Sequence, residues 1–213
     1  MLRLVILGGG GHASDVLGVV EALQRTGELI EVVGLLADET PDPSRFIGRD
    51  VRHLGPITMI DQLDANYVLA MGYPTTRRAV FEKIRHMDRR PATLVHPAAV
   101  IGAGCDVGAG AVIFDGVHLS AMARVGEHSC ISYNSSVGHD SRIGDFCSIM
   151  PGATVSGSVV VGNDVMVGAN AIVVEQRRID NGASIGAGAV VVDDVSANTI
   201  VAGVPARPLS PRE

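Results

Sequence analysis

From Val95 to Val191, every sixth residue of this chain is Val, Ile or Leu. The residue after it is often Gly, as at Gly102, Gly126, Gly144 and Gly168. Four places after each aliphatic comes a small or β-branched side chain, from Ala99 and Cys105 through Ser141 and Ala171 to Ala189 and Val195. Only Arg177 interrupts that second series. Helix faces repeat at about 3.6 residues and strand faces at about 2, so neither sustains a period of six. A short flat segment that turns after each hexad does. Such a repeat predicts a parallel β-helix solenoid.

The aliphatic position is expected to point into a prism and stack on its equivalents one coil above and below. The small position also points inward, near a corner, where bulk does not fit. Gly, Asn and Asp suit the positive φ of tight corners. Three hexads close one triangular coil, which gives about five to six coils for the stretch. The period does not set the hand of winding, and right-handed crossovers are the strong default.

Composition agrees with a solenoid. The chain of 213 residues is 46% apolar but only 3% aromatic, with no Trp, as a narrow Val/Ile/Ala core requires. Its net charge of −6 argues against a general nucleic-acid or anionic-membrane surface. Cys105, Cys130 and Cys147 lack metal-type spacing, and Cys105 and Cys147 occupy inward small positions. The apolar N-terminus runs straight into a Gly-rich turn, which reads as a buried strand rather than a signal peptide. No apolar run approaches the ~18 residues of a spanning helix. The expectation is a soluble, cytoplasmic protein.

The front of the chain has another organisation. Leu2 to Leu7 reads as a buried parallel strand, followed by Gly8-Gly9-Gly10-Gly11-His12-Ala13. A helical pattern with Ala13, Val16, Leu17, Val20 and Leu23 on one face comes next. Ile30 to Leu36 is a second strand, ending at Ala37-Asp38. After an irregular stretch, a short helix is expected near Met59 to Leu63 and a strand at Tyr67 to Met71. Thr75 is expected to cap a further helix, and Ala92 to Val95 to form a last strand. Alternating strands and helices predict a small Rossmann-like α/β domain with a parallel sheet. The chain thus divides into an α/β domain at 1–94, a solenoid at 95–204 and a tail at 205–213.

Gly8, Gly10 and Ala13 fit a phosphate-binding turn, in which backbone N–H groups at a helix N-terminus receive the anion. Asp38, at the end of the second strand, is placed to receive a ribose or base hydrogen bond. The domain holds only one mononucleotide-binding half, which disfavours NAD. A tight turn without a ligand is the plain alternative, and a capping or packing role is the alternative for His12.

The repeat, with its ending Gly203-Val204-Pro205-Ala206-Arg207, resembles the left-handed β-helix of hexapeptide-repeat acyltransferases. With its Gly-rich front domain, the whole chain resembles bacterial nucleotide-sugar N-acetyltransferases and the related sialic acid O-acetyltransferases. The resemblance implies acetyl-CoA as donor, a nucleotide-linked amino sugar as acceptor, no metal and a homotrimer with sites between subunits. It implies a nucleotide-sugar site at Gly8, Gly9, Gly10, Gly11, His12 and Asp38. His139, followed by Asp140 in Val137-Gly138-His139-Asp140-Ser141, matches the family segment with a general base and a helper carboxylate. Sequence neighbours on an extended segment point apart, so their pairing requires the corner to bend the chain. One coil on from His139 lies Gly157, where a backbone N–H can face the acetyl carbonyl and a missing side chain admits the thioester. Gly152, Ala169, Gly203 and Arg207 are the further expected acetyl-CoA contacts, with surface or corner roles as their plain alternatives. Gln176-Arg177-Arg178 is expected to bulge outward.

Three rival functions remain. A zinc hydratase on the same solenoid needs three converging His ligands, but His118, His128 and His139 occupy different places in their hexads. A non-catalytic binding protein is disfavoured by the retained His139. O-acetylation of a sugar or sialic acid stays open, because a hydroxyl needs a base as much as an amine does. The base, the sugar and the acylated position are not readable from the sequence.

Overall fold

The computed structural model describes residues 1–209. The last residues of the expected 205–213 tail lie outside the described residues. The chain divides into two compact units, Met1–Pro97 and Ala98–Glu213.

In the first unit, β1 (Leu2–Leu7) leads into α1 (Gly11–Arg25), followed by β2 (Ile30–Leu36), β3 (His53–Gly55), β4 (Asn66–Leu69) and α2 (Pro74–Ile84). The four strands form a parallel sheet in the order β3-β2-β1-β4. Leu4 to Leu7 of β1 are fully buried, as the central strand of a covered sheet requires. The buried stripe Ala13, Val16, Leu17 and Val20 gives α1 its packed face. The short helix expected near Met59 to Leu63 is of 3-10 type and spans Ile57–Gln62. Two local expectations change. Thr75 does not cap α2: Tyr73 is the N-cap without a side-chain hydrogen bond, and Pro74 starts the helix. Pro is pre-set for that position, since it lacks the N–H that would go unpaired there. The strand expected from Ala92 shrinks to β5 (Leu94–Val95).

The second unit is the solenoid, with the fold of the left-handed parallel β-helix. Two-residue strands recur every six residues, from β6 (Val100–Ile101) to β21 (Val190–Val191), and build the three flat faces of a prism. Neighbouring strands pair in parallel across one coil, as in Ser136↔Thr154 and Val137↔Val155. The aliphatic of each strand points inward: Ile113, Leu119, Ile131, Val137 and Ile149 are all fully buried. The small series is buried too, including Ala111, Ala123, Ser141, Cys147 and Ala153. Its polar members hydrogen-bond between coils, with Ser141 Oγ donating to Ser156 O at 2.7 Å and accepting from Val159 N at 3.0 Å.

One edge of the prism carries a side-chain ladder. Glu127 N donates to Asp145 Oδ1, Asp145 N to Asn163 Oδ1 and Asn163 N to Asn181 Oδ1, each at 2.8 Å. These carboxylate and amide oxygens satisfy corner N–H groups that the strands leave unpaired.

The expected bulge at Gln176–Arg178 does not occur. Arg178–Ile179 pairs in register with Val160–Val161, and Arg177 turns outward to put its guanidinium 3.9 Å from Asp194. Val195 also departs from its expected small position. It bridges Ile179, and Ser184 pairs with Ile200, so the last coil is two residues short. Asp194 Oδ1 covers the gap by accepting from Arg178 N at 2.9 Å. The chain then closes with β22 (Ile200–Ala202) and an antiparallel β23 (Arg207–Pro208).

Asn163→Ala should leave the Asp145 N–H without its acceptor and cost about 1 kcal/mol. In thermal denaturation this should appear as a fall of about 2–4 °C in Tm for a chain of this size.

Candidate active site

His139 and Asp140 form the corner turn after Val137. Asp140 adopts φ 60°, the left-handed region that Asp tolerates better than most residues. The turn is pinned on both sides: Asp140 N donates to Ala121 O at 3.1 Å, and Ser158 N donates to His139 O at 2.8 Å. That backbone reversal brings the two side chains together, with His139 Nδ1 2.7 Å from Asp140 Oδ2. A carboxylate accepts only, so Nδ1 carries the proton and Nε2 of the neutral ring keeps a free lone pair. Both side chains are more than half exposed, at 67% and 59%.

The imidazole lies across Gly157. A Cβ at that glycine would sit 2.7 Å from His139 Nε2 and 2.9 Å from Cε1. Gly157 O accepts from Gln176 N at 3.0 Å, while its N–H has no hydrogen-bond partner among the described residues. The corner therefore brings an imidazole, a carboxylate and a spare backbone donor together in one place.

Counting on by whole coils, the same edge of the prism passes from His139 and Gly157 to Glu175 and Asp193. Arg207 Nη1 lies 3.3 Å from Asp193 Oδ2, so the guanidinium stands on this edge. Three coil spacings of ~4.8 Å put it roughly 14 Å along from His139. Asp193, Asp194, Thr199 and Arg207 help line a cavity of about 340 Å³ at this end. Gly203 has φ 96°, and its carbonyl accepts from Val190 N at 3.0 Å. Gly152 and Ala169 lie in neighbouring coils on a different edge, where Gly152 has φ 70° and stacks on Asn170.

In the first unit, the Gly-rich turn forms at the C-terminal end of β1. Gly8 N donates to Leu36 O at 2.8 Å, and at φ 128° a Cβ there would lie 2.7 Å from Ala70 O. Gly9 is pressed against Pro41. Gly10 is the N-cap of α1 and faces open space. His12 lies in the first turn of α1. Arg45 is a residue the sequence reading passed over: its Nη1 is 3.2 Å from the place of a Gly11 Cβ, so a guanidinium stands beside the turn. Asp38 sits at the end of β2, with Oδ1 accepting from Ile57 N and Oδ2 from Lys83 Nζ, each at 3.1 Å. The Ile57 N–H first, and Lys83 second, hold its carboxyl below the usual range. Lys83 was also passed over, because nothing in the helical pattern of α2 signals a partner for Asp38.

Among the described residues, no group of three or more His, Cys, Asp or Glu side chains is arranged to hold a metal ion. No helix among them is long and apolar enough to cross a membrane.

Residues 3–84 match the family described as the PglD N-terminal domain. A solved histidine mutant of perosamine N-acetyltransferase from Caulobacter crescentus, in complex with CoA and GDP-perosamine, is 28% identical. The match covers 98% of this chain and 97% of that one, with a TM-score of 0.85. The acetyltransferase domain of PglB from Neisseria gonorrhoeae, in complex with acetyl coenzyme A, is also 28% identical. Here 97% of this chain and 98% of the other are covered, with a TM-score of 0.87. A shorter stretch of 39 residues is 62% identical to 2,3,4,5-tetrahydropyridine-2,6-dicarboxylate N-acetyltransferase from Enterococcus faecalis. That stretch spans 18% of this chain and 17% of the curated relative's length. These likenesses support an acyltransferase built on the hexapeptide-repeat fold. Along nearly its whole length it is similar to solved nucleotide-sugar N-acetyltransferases.

Gly157→Ala should keep the fold, since its backbone does not need the left-handed region, but the new methyl should displace the His139 ring. Turnover should fall by up to about a hundredfold, the scale of a 1 Å misplacement at a reacting centre. Circular dichroism should be unchanged, and steady-state kinetics should carry the loss.

Proposed function

We propose that this chain transfers the acetyl group of acetyl-CoA to the amine of a nucleotide-diphosphate-linked amino sugar. The observation that carries this reading is the His139–Asp140 pair lying across Gly157. His139 Nε2 takes a proton from the acceptor amine as its nitrogen attacks the thioester carbonyl. The Gly157 N–H donates to the developing oxyanion, and Asp140 holds the imidazolium that forms. As the tetrahedral centre collapses, the C–S bond breaks and His139 returns a proton to the departing thiolate.

Arg207 suits a phosphate of the donor, because a fork of N–H groups matches a phosphate's oxygens. Its position on the His139 edge supports a pantetheine arm running past Gly157 along that edge, with Gly203 beside its far end. Gly152 and Ala169 would meet the donor only from another chain, which fits a site shared between subunits. On the acceptor side, Gly8 to Gly11 and His12 receive the diphosphate, joined by Arg45, and Asp38 accepts a hydrogen bond from the base or ribose. The acetyl-CoA requirement makes the cytoplasm the place of reaction.

A homotrimer is part of the same reading. One prism face presents Val100, His118, Ser136, Thr154, Ile172 and Val190 outward, a nearly uncharged column in which Val100 is 53% and Ile172 41% exposed. A threefold assembly would cover it. Light scattering at micromolar concentration should give three chains per particle, and a stable monomer would count against shared sites.

His139→Ala should lower kcat by ~10²–10⁴-fold while both substrates still bind. Asp140→Asn should cost less. Thiol release from acetyl-CoA with a panel of nucleotide-linked amino sugars measures both, and wild-type turnover by His139→Ala would remove His139 as the base. Gly10→Leu should raise KM for the sugar nucleotide and leave that for acetyl-CoA unchanged, because Gly10 faces open space where a phosphate would approach.

A further inference from the structure

We infer that Tyr73 is the platform on which the acceptor's sugar ring rests, an assignment that builds on the nucleotide-sugar reading above. The sheet order β3-β2-β1-β4 places β2 on one side of β1 and β4 on the other. The C-terminal ends of β1 and β4 therefore flank the point where the strand order reverses, which is where open α/β sheets take their ligands. On one side of this crevice stands the Gly8 turn. On the other, the chain leaves β4 through Met71 and Gly72 to Tyr73.

Tyr73 is 65% exposed and is the one exposed aromatic among the described residues, in a chain with three Tyr, four Phe and no Trp. Its main chain is nevertheless firmly held. Arg77 N donates to Tyr73 O at 3.0 Å, Arg77 Nη1 donates to Met71 O at 2.6 Å, and Pro74 opens α2 directly behind it. Gly72, next to it, has open space where a side chain would be. An aromatic ring on a fixed mount, left in water at a ligand crevice, provides area with little conformational entropy to lose on binding.

The order of the strands then assigns the ring its occupant. Asp38 ends β2, the Gly-rich turn ends β1 and Tyr73 follows β4, three successive stations spaced by about 4.8 Å per strand. With the base or ribose at Asp38 and the diphosphate at the turn, the next group along an extended nucleotide sugar is the sugar. Its C–H face stacks on the phenol ring, and the phenol hydroxyl is free to meet a sugar hydroxyl.

The test is calorimetric titration of the full chain with UDP and GDP, and with UDP-glucosamine and GDP-perosamine. Tyr73→Ala should weaken binding of the sugar nucleotide about five- to tenfold, the scale of a ring-stacking contact. Affinity for the matching free diphosphate should not change, and Tyr73→Phe should keep most of the sugar-nucleotide affinity. Unchanged affinity for both ligands in Tyr73→Ala would overturn the assignment. Equal weakening of both would also overturn it, by putting the ring on the base. Wild-type protein that binds none of the four would instead sink the nucleotide-sugar reading, and Tyr73's role with it.

Discussion

Everything in the second unit depends on the register between one coil and the next. Each two-residue strand donates and accepts only across to its neighbours in the coils above and below, so no rung is stable alone. The inward aliphatics keep that register by stacking directly over one another. A one-residue slip would turn this inward column toward solvent. The corners inherit the same spacing, which is how His139 comes to lie over Gly157 and Asp145 over Asn163.

The geometry of the His139–Asp140 pair follows from what a corner does to the backbone. On an extended segment, adjacent side chains diverge. At this corner, the positive φ of Asp140 turns its carboxylate back toward His139 Nδ1. The glycine one coil on then leaves the imidazole room that a side chain would take. The corner-forming conformation is thus also what brings the imidazole and the carboxylate together.

The repeat as far as Val191 was legible because each coil offers the same inward slots, and only side chains of matching size fill them. The stacking of His139 on Gly157 was legible for the same reason, since their spacing is the coil length. Arg45 and Lys83 were not: they reach Gly11 and Asp38 across non-periodic stretches, where no spacing rule links partners. The short last coil was hidden as well. Val195 is β-branched and suits either inward position, so the missing two residues show only in the strand pairing of Ile179 with Val195 and of Ser184 with Ile200.

The Asp194 substitution for a strand carbonyl has a consequence for how long the prism can grow. A β-helix ending in a regular rung presents unpaired N–H and C=O groups, an open template on which another chain can stack. Here the final rung is cut short, a side-chain carboxylate occupies one main-chain donor, and β23 folds back antiparallel across β22. The terminal coil is thereby made unlike the coils below it. The short coil, the Asp194 carboxylate and the reversed strand make this end a poor template for another chain to stack on.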